Sequence, residues 1–255
     1  MPDGISREMK GADVAARGPF RNVLLDSLPA ADAAALAPQL ESVTLTRRQV
    51  LESPGAEIPI VVFPESGIVS VMARAPRDRR IEVGLIGFDG MTGFAAVLGD
   101  EVAINESIVQ VPGHGWGIAT SSLTQRARES ASLSALLLRY VQAFMAQTTQ
   151  TALANGSAKL EERLARWLLM SHDRFNSNEL GITHDFLAQM LGVRRAGVTI
   201  ALQVLESRHL IRSRRSLITI LDRAGLMRQA NGSYGVAEVV YARLFRPDWR
   251  QSTND

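Results

Sequence analysis

Apolar residues recur along this chain at different spacings, and each change of spacing marks a change of predicted architecture. From Phe20 to Leu40 the stretch FRNVLLDSLPAADAAALAPQL is helical in pattern, with Pro29 and Asp32 punctuating two short helices. From Val43 to about Thr120 the pattern changes to short strands and glycine turns. RIEVGLIG alternates, with Ile81, Val83 and Leu85 on one face and Arg80, Glu82 and Gly84 on the other. IPIVVFPESGIVSVMA gives two β-rich runs broken at Pro64 and Gly67, and INESIVQVPGHGWGI gives two more broken at Pro112 and Gly113. Seven or eight such strands predict a sandwich or small barrel of the jelly-roll kind.

After Ser122 the period becomes helical and stays so. Leu133, Leu137, Val141, Phe144, Thr148 and Thr151 recur at spacings of four and three, forming a seam that turns polar toward its end. A continuous helix from Ser130 to Ser157 would be about 42 Å long. Such a helix serves either as the spine of one monomer or as a dimer coiled coil, and the coiled coil is the preferred reading. Gly156 is a hinge candidate, within a flexible stretch from Asn155 to Lys159. AKLEERLARWLLMSHDRF then continues as an amphipathic helix, with Leu160, Leu164, Trp167 and Leu168 on one side, followed by a linker, NSNELG.

The next segment, ITHDFLAQMLGVRRAGVTIALQVLE, has Thr183 as an N-cap and Phe186, Leu187 and Met190 or Leu191 turned inward. Gly192 supplies a tight turn, since glycine accepts left-handed backbone angles. A second helix buries Val198, Leu202 and Leu205. Helix, glycine turn, helix is the helix-turn-helix arrangement, whose second helix enters the DNA major groove by its N-terminal residues. LIRSRRSLITILD then reads as a hairpin with a basic turn, a wing.

Charge sharpens this picture. The 255 residues carry a net charge of only +2, but from Gly156 onward 15 Lys and Arg face 10 Asp and Glu. From Leu191 to Arg215 there are six arginines and one acid, Glu206. Arg194 and Arg195 stand where a helix ordinarily favours acidic residues, so a polyanion is the expected partner. Any single arginine is accounted for by a solvated face; the group, on a recognition helix and wing, points to double-stranded DNA. Arg195 is assigned to base reading by a bidentate pair with guanine, with Thr199 one turn on as a second reader. Arg194, Arg212, Arg214 and Arg215 are assigned to phosphates. With Thr183 and Gly197 these residues form the expected DNA-contact set.

With these residues in place the chain resembles the Crp/Fnr family of bacterial transcription regulators from Phe20 to about Leu226. The resemblance rests on VVFPESGIVSV, GFDGMTGF, RLARWLL, FLAQMLGVRRAGVTIALQVLE and ITILDRAGL. It implies an α+β chain: a flexible tail (1–18), a jelly-roll β-roll effector domain (19–122), a dimerisation helix (123–158) and a winged helix-turn-helix with a helical extension (159–255). The cyclic-AMP branch of the family places a Glu after the cassette glycine and an Arg on the next strand. Here Phe94 follows Gly93, and residues 81–125 contain no Lys or Arg. A buried phosphate would lack its cation, so cyclic AMP is not expected as a ligand. Trp116 and Phe94 are candidates for the wall of an apolar effector pocket, although core packing is their commoner use. Thr148 and Thr149 lie where that branch uses small polar groups of the dimer helix, and polar register positions of a coiled coil account for them equally well. In the best-known branch Glu follows the base-reading Arg, and the wing turn carries Arg-Gly; here Ala196 follows Arg195 and Ser216 follows Arg215.

Other chemistry recedes. The absence of cysteine removes disulfides, thiolate metal sites and Cys nucleophiles. Of four histidines only His114 falls in the predicted roll, too few for a metal-dependent β-barrel enzyme. GLIGFDGMTG lacks the Lys-Ser/Thr of a phosphate loop. No catalytic residues, metal or cofactor are expected, and the protein is read as a non-enzyme. Its apolar runs are far too short to span a membrane and its N-terminus lacks a signal-peptide core, which points to the cytoplasm. The expectation is a homodimeric transcription regulator on a near-palindromic DNA site, with an unidentified effector in the roll; contact with RNA polymerase would be needed for activation only. The alternative is a small-molecule- or partner-binding module whose winged helix is a protein-interaction surface.

Overall fold

The computed structural model describes residues 20–75, 79–175 and 177–245; the expected tail at 1–18 lies outside them. Two short helices open the described chain, α1 (Val23–Asp26) and α2 (Ala30–Leu36). Asn22 caps α1: its side-chain oxygen accepts from the N–H groups of Leu24 and Leu25, and its amide donates to the carbonyls of Pro64 and Gly90. Buried at 0% exposure, it fastens the first helix to the roll.

The roll is built from β1 (Glu41–Leu45), β2 (Val50–Glu52), β3 (Ile60–Pro64), β4 (Ile68–Ala75), β5 (Arg79–Ile86), β6 (Glu106–Val111) and β7 (Gly113–Ala119), with a short α3 (Phe94–Val97) between β5 and β6. They form two antiparallel sheets, ordered β1-β7-β3 and β2-β6-β4-β5. Val61, Val62, Phe63, Val69, Val71, Val109 and Ile118 are all at most 2% exposed between them. This is the predicted jelly-roll class.

The helical region divides at Ser130 into α4 (Thr120–Glu129) and α5 (Ala131–Ser157), with the Ser130 hydroxyl capping α5 through the N–H of Leu133. The 27-residue α5 is about 40 Å long. Its Leu133, Leu137 and Phe144 belong to the core of the roll, and Val141 is only 6% exposed. The predicted seam therefore faces inward, against the chain's own sheets. The outward side of α5 instead carries Leu138, Met145 and Leu153 at 47%, 57% and 58% exposure.

The chain breaks after Ser157, inside the predicted hinge, and α6 (Leu160–His172) begins. The expected linker NSNELG contributes a strand, β8 (Glu179–Leu180). There follow α7 (His184–Leu191), α8 (Arg195–Ser207), the hairpin β9 (Ile211–Arg214) and β10 (Leu217–Ile220), α9 (Arg223–Gln229) and α10 (Val236–Phe245). The small sheet has order β8-β10-β9. No helix among the described residues is long and apolar enough to cross a membrane.

The alternation read in β5 does not survive tertiary packing. A bulge at Val83 sets Met72 opposite Glu82 but Val71 opposite Gly84. Glu82, on the strand's expected polar face, is only 6% exposed and accepts from Trp167 Nε1 of α6 at 2.7 Å. Ile68, Met72 and Leu85 of the roll share one apolar core with α6, α7 and α8. The outer face of the larger sheet is thus a seat for the helix-turn-helix domain. Farther along, α10 crosses back onto α5, and its Tyr241 hydroxyl donates to the Asp89 carbonyl at 2.7 Å.

Candidate nucleic-acid interface

The helix-turn-helix forms as its sequence dictates. The Thr183 hydroxyl accepts from the Phe186 N–H at 3.2 Å, and Gly192 ends α7 at φ 64°, the left-handed angle glycine tolerates. Val198, Leu202 and Leu205 are at most 1% exposed, which fixes the inward side of α8. Phe186 does not enter the core fully; it packs edge-on against Trp167, ring centroids 5.6 Å apart.

Between α8 and the wing lies an open groove of about 590 Å³, bordered by Thr183, Arg195, Thr199, Arg214 and Arg215 among others. Arg194 and Arg195 at the N-terminus of α8 are exposed, and its first turn holds no acidic residue. The free N–H groups there and both guanidinium groups give this end a positive field, suited to a phosphate. Arg195 lies 3.4 Å from Asp185 in an ion pair whose partners are 66% and 69% exposed. So exposed a pair contributes little stability, which leaves Arg195 available to a stronger acceptor. Arg212, Arg214 and Arg215 are exposed on the wing.

Three expected contacts also make structural interactions. The Thr183 hydroxyl is used in capping α7. Thr199 donates to the Arg195 carbonyl and meets His184 Nδ1, each at 3.2 Å, so the proposed second base reader is engaged locally. Gly197 faces Leu160: a Cβ there would lie 3.2 Å from Leu160 Cδ2, so the position serves helix packing. Arg194 and Arg212 lie outside the groove lining, on its flanks. Glu206, the one acid of the basic segment, accepts from the Ser213 N–H at 2.8 Å and ties the wing to α8.

Two residues outside the expected set, Gln203 and His184, also border the groove, while Ile200 on α8 is 62% exposed outside its lining. The signal was present: burial of positions 198, 202 and 205 leaves 196, 200, 203 and 207 pointing outward. Ile200 there offers an apolar surface of the kind that meets a thymine methyl.

In the wing turn Ser216 adopts φ 58°, in the left-handed region that favours glycine. Ser216→Gly should stabilise the protein by about 1 kcal/mol, because a left-handed residue with a Cβ is strained. Urea denaturation would measure it, and a destabilised variant would reject the strain argument.

The expected effector residues do not gather around one cavity. Phe94 stacks on Phe144, centroids 4.6 Å apart, and fills the space beside α5. Glu52, 7% exposed, accepts from the Gly93 N–H at 2.7 Å. Burial pushes its carboxyl pKa up, with the Gly93 bond opposing. Thr148 and Thr149 donate to the carbonyls of Phe144 and Met145 within α5, and Thr149 points outward. No group of three or more His, Asp or Glu suited to a metal ion occurs among the described residues.

The sequence model of a Crp-like helix-turn-helix domain matches residues 162–229, spanning α6 to α9. No curated protein matches the chain in sequence. Among solved structures, a Crp/Fnr-family transcriptional regulator from Eubacterium rectale superposes with a TM-score of 0.64 at 20% identity, covering 82% of this chain and 98% of that one. A CRP-family regulator from Thermus thermophilus gives 0.63 at 20% identity, covering 76% and 99%. The c-di-GMP-responsive global regulator of Xanthomonas campestris gives 0.60 at 18% identity, covering 75% and 99%. The chain therefore has the Crp/Fnr regulator fold, a β-roll joined by a long helix to a Crp-like helix-turn-helix domain.

Proposed function

We propose that the protein is a sequence-specific DNA-binding transcription regulator acting as a homodimer. The observation that carries this is the groove between α8 and the wing, with Arg195, Arg214 and Arg215 on its borders against two acids, Asp185, which pairs with Arg195, and Glu206, which ties the wing to α8. Arg195 reads guanine, Ile200 and Gln203 meet neighbouring base edges, and the flanking arginines hold phosphates. Selection of binding sites from random duplex DNA tests this. A two-fold symmetric motif with half-sites about 34 Å apart is expected. Arg195→Ala should lose about 1–3 kcal/mol of discrimination at one G·C pair in each half-site. Arg212→Ala should weaken binding to all sequences alike and lower the salt slope by about one. Sequence-blind binding by the wild type would reject the reading and favour a protein-interaction role for the wing.

Dimerisation is assigned to the outward side of α5. Leu138, Gln142, Met145, Thr149, Ala152 and Gly156 follow at spacings of four and three, and all are exposed. This is a heptad seam on a helix long enough to use it, and a second copy of the chain is its natural occupant because a near-palindromic site requires one. Met145→Glu should convert the protein to a monomer in sedimentation velocity while leaving its helix content unchanged; a dimer in the variant would place the interface elsewhere. We also propose that the roll does not take cyclic AMP, supported by the Phe94–Phe144 stack and by the carboxylate of Glu52 at Gly93.

A further inference from the structure

A second cavity, of about 320 Å³, lies where the roll, α5, the helix-turn-helix domain and α10 meet. Phe88, Tyr140 and Phe144 supply an aromatic wall. Most polar groups facing it are already engaged. The carboxylate of Asp89 receives Arg174, that of Asp173 receives Arg223 and Tyr234, and Gln147 pairs with both backbone groups of Leu85. The hydroxyls of Tyr140 and Tyr241 donate to the carbonyls of Met91 and Asp89.

Two atoms remain without a hydrogen bond among the described residues, and they have opposite charge. One is Oε1 of Glu238, whose Oε2 accepts from the Gly235 N–H at 2.8 Å. The other is Nε of Arg223, whose terminal nitrogens serve His172, Asp173 and Tyr234. A carboxylate and a guanidinium beside an aromatic wall, in a volume at the small end of ligand pockets, match a small zwitterion with an apolar body.

We propose that this cavity binds a free amino acid with a large apolar or aromatic side chain. Its ammonium pairs with Glu238, its carboxylate with Arg223, and its side chain lies against Phe88, Tyr140 and Phe144. The occupant touches the roll, the dimer helix, the helix-turn-helix domain and α10 at once, so it stabilises one mutual arrangement of them and changes DNA affinity. Only that last consequence rests on the reading of the protein as a DNA-binding regulator.

Calorimetry on the full chain with L-phenylalanine, L-leucine and L-tryptophan tests it. At least one should bind, one molecule per chain. Phenylpropionate, which lacks the ammonium, should bind the wild type more weakly than L-phenylalanine. Glu238→Gln, which keeps an acceptor for Gly235, should weaken the amino acid by about tenfold and leave phenylpropionate unchanged. Ala242→Phe, which fills the cavity from α10, should abolish binding with little change in thermal stability. No binding by any of the three amino acids, or equal binding by wild type and Glu238→Gln, overturns the assignment. Binding that leaves affinity for a selected DNA site unchanged overturns the regulatory consequence. Amino-acid binding by a protein that selects no DNA site leaves the cavity assignment standing and rejects the regulator reading instead.

Discussion

Asp89→Ala is expected to cost about 3–5 kcal/mol of folding stability, the penalty for leaving a buried guanidinium without its carboxylate. Arg174 Nε and Nη2 bind the two Asp89 oxygens at 3.0 and 2.5 Å, and Nη1 donates to the Met170 carbonyl at 2.7 Å. The arginine side chain is only 8% exposed. Burial opposes its charge, but the carboxylates of Asp89, Asp173 and Glu238 outweigh burial and hold its pKa above the ordinary arginine value. The pair fastens the chain just beyond α6 to the turn after β5, so its loss should also loosen that junction. Adding Arg174→Met to Asp89→Ala should recover much of the loss, since an apolar side chain needs no counter-charge. Urea denaturation followed by tryptophan fluorescence measures both. A single variant within about 1 kcal/mol of wild type, or a double variant no better than the single, would show that the cost of an unpaired buried guanidinium is not what Asp89 relieves.

Glu82→Gln should do the reverse, stabilising the protein above neutral pH and making its stability less dependent on pH. Burial raises the Glu82 pKa from its ordinary value of 4.5 to about 7, against the lowering influence of Ser70, Trp167, Arg166 and Arg174. Below pH 4.5 the group is protonated in both folded and unfolded chains. Between 4.5 and 7 the folded chain keeps the proton that the unfolded chain releases, so stability falls as pH rises through that window. Above it the full penalty of a buried carboxylate applies, up to roughly 3 kcal/mol. Glutamine keeps the acceptor for Trp167 and can donate to Ser70, without the charge. The variant should therefore match wild type near pH 4 and exceed it at pH 8, by thermal melts across that range. Equal pH profiles for the two proteins would reject the assignment.

The sequence made much of the fold legible for identifiable reasons. Strand and turn alternation from Val43 to Thr120 foretold the roll, and the inward residues of α7 and α8 with Gly192 foretold the helix-turn-helix. Local signals of this kind work because a cap, a glycine turn or a 3.6-residue period constrains its own segment before any partner arrives. The basic character of the interface was legible too, since six arginines between Leu191 and Arg215 need no tertiary information to be counted. Individual roles were less so. Thr199 borders the groove while also bonding His184, and Gly197 packs on Leu160, contacts that no local pattern shows. Ile200 and Gln203 occupy the outward stripe.

What the sequence determined by itself, then, is the set of elements, their order and the sign of the charge on the last of them, because propensity, periodicity and net charge are properties of a segment alone. What only the tertiary structure decided is which face each element turns to which neighbour. The seam of α5 that looked like a dimer interface became the lid of its own roll, since Leu133, Leu137 and Phe144 had the nearer sheets to bury against. Glu82 became a buried acid because the face it shares with Leu85 was covered by α6 and α7. The pocket beneath α10 exists only because that helix packs back on α5 and brings Tyr241 to Asp89, about 150 positions away in the chain. Long-range contacts of this kind are selected by the free energy of the whole packed chain, and no local pattern carries that information.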